Sequence, residues 1–149
     1  MRVAIIGAGA AGCFAAANIL RGNGIEVVVF EKANKVLQKV KVSGGGRCNV
    51  THACFDVAEM AASYPRGKQL LRKTLYQFGP SETIEWFQQH SVKLKEEADG
   101  RMFPITDSSQ TIIDCLWQEM MRNGVEVRYH KSVDKIEQTE TGFVIHFAD

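Results

Sequence analysis

The sequence predicts an α/β fold built on a parallel sheet, and three observations carry that prediction. The apolar run Val3-Ala4-Ile5-Ile6 passes at once into Gly7-Ala8-Gly9-Ala10-Ala11-Gly12 and then into the helix formers of 13–17. A second apolar run over 27–30 ends on Glu31, nineteen positions beyond Gly12. A third strand, read over 125–129, follows a stretch with helical spacing. Strand, glycine turn and helix, with an acid about 20 residues on, form a dinucleotide-binding fingerprint; a lone G-x-G-x-x-G would not.

Each part of the fingerprint has a physical task. Gly7 permits a tight turn out of the first strand. Gly9 lets backbone approach a pyrophosphate, and Gly12 lets the helix lie close to the strand. The unpaired N–H groups and positive end of that helix attract phosphate. Glu31 can accept hydrogen bonds from ribose hydroxyls and would repel a 2′-phosphate, which disfavours an NADP-type ligand at this place.

The remaining elements follow from periodicity and punctuation. A helix is predicted over 10–21, stopped by Gly22-Asn23-Gly24. The Ile/Val run over 25–30 suits a parallel strand buried on both faces and completes a right-handed βαβ unit. Residues 32–55 read as irregular. Helices are predicted over 55–63, 69–78 and, after Gly79-Pro80, 81–90. A strand over 92–97 and an extended loop over 100–106 come next. Asp107 is the expected N-cap of a helix over 108–122, with Gln110 closing a capping box. The run 125–129 is a third parallel strand. Residues 133–138 and 143–147 alternate around Glu140-Thr141-Gly142 and predict a hairpin. No repeat, low-complexity stretch or linker interrupts what reads as one domain over 1–149.

Composition narrows the function. The 149 residues are 45% hydrophobic and 23% charged, ordinary for a soluble globular domain. A formal net charge of +1, with no run of five or more cations, gives no electrostatic case for nucleic acid. The apolar stretch 3–20 contains three glycines and fits a strand plus a helix, so it is read neither as a signal peptide nor as a membrane span. No membrane partner and a cytoplasmic location are expected. The four cysteines, Cys13, Cys48, Cys54 and Cys115, form no C-x-x-C pair and no metal-ligand pattern, so free thiols and no metal site are expected. Cys13 and Cys115 fall in helical patterns as small core residues.

A second glycine cluster, Ser43-Gly44-Gly45-Gly46-Arg47-Cys48-Asn49, stands in the irregular stretch. Consecutive glycines forfeit backbone order and are kept where the main chain passes close to something. Following the second strand, this segment can lie at the carboxyl end of the sheet and form a second wall of the dinucleotide site. Alone, Gly100-Arg101-Met102-Phe103-Pro104 reads as an exposed turn, with Arg101 facing solvent or a carboxylate.

Taken together, Gly7-x-Gly9-x-x-Gly12-x-x-x-Ala16, Gly24-x-x-Val27-x-x-x-Glu31, the string from Lys39 through Gly44-Gly45-Gly46-Arg47-Cys48-Asn49 to Thr51, and 100–104 resemble the BaiN/RdsA-like (YhiN-type) NAD(P)/FAD-dependent oxidoreductases over essentially the whole chain. The resemblance implies a Rossmann-like FAD-binding fold: a parallel sheet with an antiparallel crossover hairpin. It implies that Gly7, Gly9 and Gly12 take the pyrophosphate and Glu31 the adenosine ribose. Ala10, Ala11 and Lys32 are further cofactor-binding positions. The residues Ser43 to Asn49 would line the pyrophosphate and flavin side, and the main chain at Val133 would meet the adenine. Where this chain has His52, many members carry Asn. Members are typically several hundred residues long, so the chain reads as a truncated, N-terminal part of that fold. In the expected topology a further strand lies beside the first one, and its lack would leave an edge open to self-association.

Three functions follow as expectations. The first is a flavoprotein oxidoreductase moving hydride between NAD(P)H and an unknown organic substrate, with FAD carrying the chemistry. The second is a non-catalytic dinucleotide-binding fragment that needs a partner chain or further segments. The third, which leaves the second glycine cluster unexplained, is an NAD-dependent dehydrogenase. No acid, base or nucleophile is assigned. His52, Cys48 and Arg101 are candidates only by proximity to motifs.

Overall fold

A computed structural model describes residues 1–19 and 24–148. In chain order the elements are β1 (Arg2–Ile6), α1 (Ala10–Asn18), β2 (Glu26–Phe30), α2 (Gln38–Gly46), β3 (Thr51–His52), α3 (Val57–Ala62), α4 (Lys68–Leu75), α5 (Pro80–Gln89), β4 (Leu94–Glu96), β5 (Arg101–Pro104), α6 (Ser109–Arg122), β6 (Glu126–Arg128), β7 (Val133–Thr139) and β8 (Gly142–Phe147). The chain divides into two compact units. One comprises Met1–Val40 with Leu116–Asp149, the other Lys41–Cys115.

The first unit holds a parallel sheet in the order β1-β2-β6. Arg2 stands opposite Glu26 and Ile6 opposite Phe30, while Val28 to Phe30 pair with Glu126 to Arg128. Val27, Val28, Val29 and Phe30 are all buried, as the unbroken Ile/Val pattern requires of a strand covered on both faces. Antiparallel β7 and β8 form the predicted hairpin, with an irregularity in register between Val133 and Lys135. Phe147 of β8 lies against Phe30 of β2 with ring centroids 5.0 Å apart, which ties the hairpin to the sheet. The sequence-predicted end of the first helix at Arg21, and its stop at Gly22-Asn23, fall outside the described residues.

The second unit is organised on a small antiparallel sheet in the order β3-β5-β4. Its centre is Phe103 of β5, fully buried. Here the structure corrects three expectations. Residues 101–104 form the middle strand of a sheet, not a loop. The run is short and ends in proline, which hides a strand from periodicity, but Met102 and Phe103 are buried between two neighbours. Part of the stretch read as irregular is helix α2, which is interrupted at Ser43 (ψ 149°) and Gly44 (φ 55°). Its alternating Lys and Val residues carry no helical period, and β-branched valine is a modest helix former. Finally, Asp107 is not an N-cap. It adopts φ 53°, and its carboxylate pairs with Lys95 and, at 3.6 Å, with Arg47. Gln110 donates to Asp114 rather than closing a box, and Ser108 Oγ accepts from the Gln110 N–H instead (3.3 Å). Half of a capping box does occur at α5, where Glu82 accepts from the N–H of Gly79 at 2.8 Å. A glycine N-cap has no side chain to supply the other half, so the pair leaves no sequence signature.

Candidate dinucleotide site

The turn between β1 and α1 is built as the fingerprint demands. Gly7 has φ 92°, a left-handed conformation that side chains resist, and its N–H donates to the Phe30 carbonyl at 2.8 Å, locking the turn onto β2. A Cβ on Gly12 would overlap the Gly7 carbonyl oxygen and stand 3.2 Å from the carbonyl carbon and 3.3 Å from Ile5 Cγ2. Strand and helix therefore approach as closely as backbone allows. Gly9 faces open space, and no side chain caps α1, whose first turn contains no acid. Gly9, Ala10 and Ala11 are exposed. A helix start left in this state presents amide donors and partial positive charge to an anion.

Glu31 sits just past the end of β2, held by its own backbone. Its N–H donates to the Arg128 carbonyl, and its carbonyl accepts from the Lys131 N–H, both at 2.9 Å. Its carboxylate accepts from the amides of Ala8 at 2.7 Å and Ala33 at 2.8 Å. Each oxygen thus spends one lone pair on the fold and keeps the other for a ligand. Glu31 opens onto a cleft of about 250 Å³ lined by Ile6, Gly7, Phe30, Lys32, Lys131, Ser132 and Val133. Four predicted positions from distant parts of the sequence, Gly7, Glu31, Lys32 and Val133, therefore meet in one cavity. Lys131 and Ser132 escaped the sequence reading. The available signal was their place just after β6, since ligands in open α/β sheets sit beyond the carboxyl ends of the strands.

Ser43, Gly44, Gly45, Gly46, Arg47, Cys48 and Asn49 lie in the second unit. Gly44, Gly45 and Gly46 all have positive φ, at 55°, 68° and 85°. A Cβ on Gly44 would stand 2.8 Å from both the Asn49 nitrogen and the Phe103 ring. Arg47 is engaged internally. It pairs with Glu97, lies 3.6 Å from Asp107, and holds its guanidinium 4.0 Å from the centroid of Phe103. The Glu97 hydrogen bond is the main cause of its raised pKa. Asn49, with its amide oriented to match its surroundings, donates to the carbonyls of Thr51 (2.9 Å) and Met102 (3.2 Å). Arg101 meets carboxylates, as its sequence context suggests: Asp99 at 2.7 Å and Glu97 at 3.5 Å. His52 shares a hydrogen bond with the Asp99 carbonyl (3.0 Å), and a Cβ on Gly100 would strike its ring.

None of the four cysteines is in a disulfide, and among the described residues no group of His, Cys, Asp and Glu is arranged to hold a metal. No described helix is long and apolar enough to cross a membrane. Burial, assisted by the charge of Glu31, pushes the Cys13 thiol up to about 12. Burial also raises Cys48 against an opposing hydrogen bond with Ser43. Cys13 and Cys115 are buried, matching their reading as core residues, and Cys54 is partly accessible. Under native conditions a thiol reagent is expected to modify Cys54 first and to leave Cys13 unmodified until the chain unfolds, as mass mapping can show. Because the Cys13 pKa is higher folded than unfolded, its contribution to stability is complete below about pH 8.5 and disappears as pH climbs towards 12. A fall in melting temperature over that alkaline window, reduced by Cys13→Ala, is the check.

Comparison with known proteins identifies the family and the fold. The family profile described as HI0933-like protein Rossmann domain matches residues 1–149. The chain is 30% identical, over 97% of its length, to a 3-dehydro-bile acid delta(4,6)-reductase of Clostridium scindens. It is 33% identical, over 95% of its length, to a ribosomal RNA dihydrouridine synthase of Escherichia coli. It spans 34% of the length of each. Among solved structures, the 3-ketosteroid-delta4-(5alpha)-dehydrogenase of Rhodococcus jostii shares the fold, with a TM-score of 0.68 and 15% identity over 97% of this chain and 41% of that one. The fold is a Rossmann-like FAD-binding one, and the chain belongs to the HI0933-like Rossmann-domain family.

Proposed function

We propose that the chain binds FAD and forms the cofactor-holding part of an oxidoreductase that moves hydride from a reduced nicotinamide to an organic substrate. The cleft joining Gly7, Glu31, Lys32 and Val133 beside an uncapped helix start carries this reading. These residues fit the group: open space at Gly9 admits a pyrophosphate, and Glu31 keeps acceptor capacity for a ribose. The amides of Ala10, Ala11 and Gly12 would hold the phosphates, and Lys32, Lys131, Ser132 and Val133 would border the adenosine. When bound, FAD supplies the hydride chemistry. The protein's part is to bind and orient it. Residues 43–49 are proposed as the flavin-side wall. The names of both relatives point to ring double bonds as the group reduced, in a steroid-like acid or in a uridine of RNA. The reducing cytoplasm, where free thiols persist, is the proposed setting.

The test is to incubate the chain with FAD, pass it through gel filtration and record the visible spectrum of the protein peak. Flavin co-eluting with protein is expected. Tight NAD binding by a chain that retains no flavin would overturn the reading. Glu31→Ala is expected to weaken FAD binding about tenfold or more, because charged acceptors contribute roughly 1.5–3 kcal/mol per hydrogen bond. It also orphans the amides of Ala8 and Ala33, so affinity must be read well below the melting temperature.

A further inference from the structure

The net charge of +1 conceals a strong local imbalance. Residues 60–81 contain Arg66, Lys68, Arg72 and Lys73 and neither Asp nor Glu. Taking those four cations from +1 leaves −3 for the rest of the chain. All four are exposed, and among the described residues none makes an ion pair. Asp56 influences Arg72 through its charge without pairing to it.

Helix α4 arranges these groups. It has no fully buried residue, and only Leu71 and Leu75 are half-buried. Lys68, Arg72 and Tyr76 fall at i, i+4 and i+8 and form one stripe, with Lys73 beside it. The Arg72 guanidinium lies 5.9 Å from the Tyr76 ring centroid and donates to its hydroxyl at 3.5 Å. Tyr76 is nonetheless 64% exposed and Tyr64 39%. A row of unpaired cations interleaved with exposed aromatic faces matches an anionic polymer that carries flat bases. A lipid-bound helix instead needs a free apolar face opposite its cations. Here Leu71 and Leu75 are half-covered by the protein and only Leu70, 73% exposed, is open, so the apolar face is a single side chain wide against four exposed cations.

We propose that α4 and its flanks, through Lys68, Arg72, Lys73 and Tyr76, form a contact surface for single-stranded RNA. The cations take phosphates, and Tyr76, steadied by Arg72, stacks on a base. The surface itself rests on charge and geometry. Only the choice of RNA over DNA rests on the functional reading above, in the form that takes a uridine of RNA rather than a steroid-like acid as the group reduced.

The test is fluorescence anisotropy of the full chain with a labelled mixed-sequence 12-nucleotide RNA, without flavin, at 50 and 200 mM salt. Three phosphate contacts predict about a twentyfold loss of affinity across that range. The triple variant K68Q/R72Q/K73Q should bind at least tenfold more weakly at 50 mM and lose most of the salt dependence. Tyr76→Ala should weaken binding about tenfold and leave the salt slope unchanged. Replacing Arg122 and Lys135 with Gln should change neither. All the altered side chains are exposed, and circular dichroism confirms that the variants fold. The proposal is overturned by no binding at 50 mM, by equal binding of the triple variant, or by an equally tight complex with the matching DNA. Preference for anionic vesicles, or a concentration-dependent dimer lost in the triple variant, overturns it in favour of another partner. Because no flavin is present, failure here is separable from failure of the FAD reading.

Discussion

Gly12→Ala is expected to unfold or severely loosen the first unit, whereas Gly9→Ala is expected to leave folding intact and remove FAD binding. The two glycines stand three positions apart in one motif, yet the structure gives them different constraints. At Gly12 the added methyl would overlap the Gly7 carbonyl oxygen and crowd Ile5. The obstacle is backbone, which cannot swing aside as a side chain can. Overpacking costs about 1–3 kcal/mol even among movable side chains, so the upper end or beyond is expected here. Gly9 has φ −82° and faces open space, so alanine is conformationally acceptable, with a stability change within about 0.5 kcal/mol. Its methyl would stand where a pyrophosphate has to approach the helix start. Thermal melts and FAD titration of both variants separate the two roles. A Gly12→Ala chain as stable as the parent would refute the close strand–helix packing. A Gly9→Ala chain that still loads FAD would move the phosphates elsewhere.

The contrast also shows how far the sequence could be read. The βαβ core was legible because its causes are local: a strand run, glycines at fixed offsets and an acid at the end of β2. Val133 was placed through resemblance, and it reached the cleft with Glu31 because a hairpin after β6 returns to the carboxyl end of the sheet. Lys131 and Ser132 were missed because nothing local marks a cleft-lining residue; only the topology brings them there. Asp107 failed for a different reason. Its sequence context suits an N-cap, but Lys95 and Arg47 compete for its carboxylate, and the tertiary charge pairs prevail over the local motif. The strand at 101–104 was illegible because it is four residues long and one of the two strands that bury it, β3, lies about 50 residues away in sequence. The cationic face of α4 was lost in the whole-chain charge, which averages a local excess against an acidic remainder.

The second glycine cluster makes a prediction of comparable size. Gly44→Ala is expected to destabilise the chain by about 3 kcal/mol, and Gly45→Ala by only about 1–2 kcal/mol. Both residues have positive φ, where a non-glycine residue costs roughly 1–2 kcal/mol. Gly45 meets nothing further, since a Cβ there faces open space. At Gly44 the methyl would press on the Asn49 backbone nitrogen and on the ring of Phe103. Neither can retreat. Phe103 is fully buried at the centre of β5 and carries the Arg47 guanidinium on its face. Asn49 is pinned by its donations to Thr51 and Met102. The string Gly44-Gly45-Gly46-Arg47-Cys48-Asn49 thus contains its own brace. Arg47 and Asn49 fasten the loop to β5, and Gly44 lets it lie against the ring. Urea denaturation of the two variants measures the difference. Equal destabilisation would mean that backbone conformation alone explains the glycines. A larger loss at Gly44 means that contact with Phe103 and Asn49 sets the path of the loop, and leaves the exposed edge at Gly45 as the part free to meet a ligand.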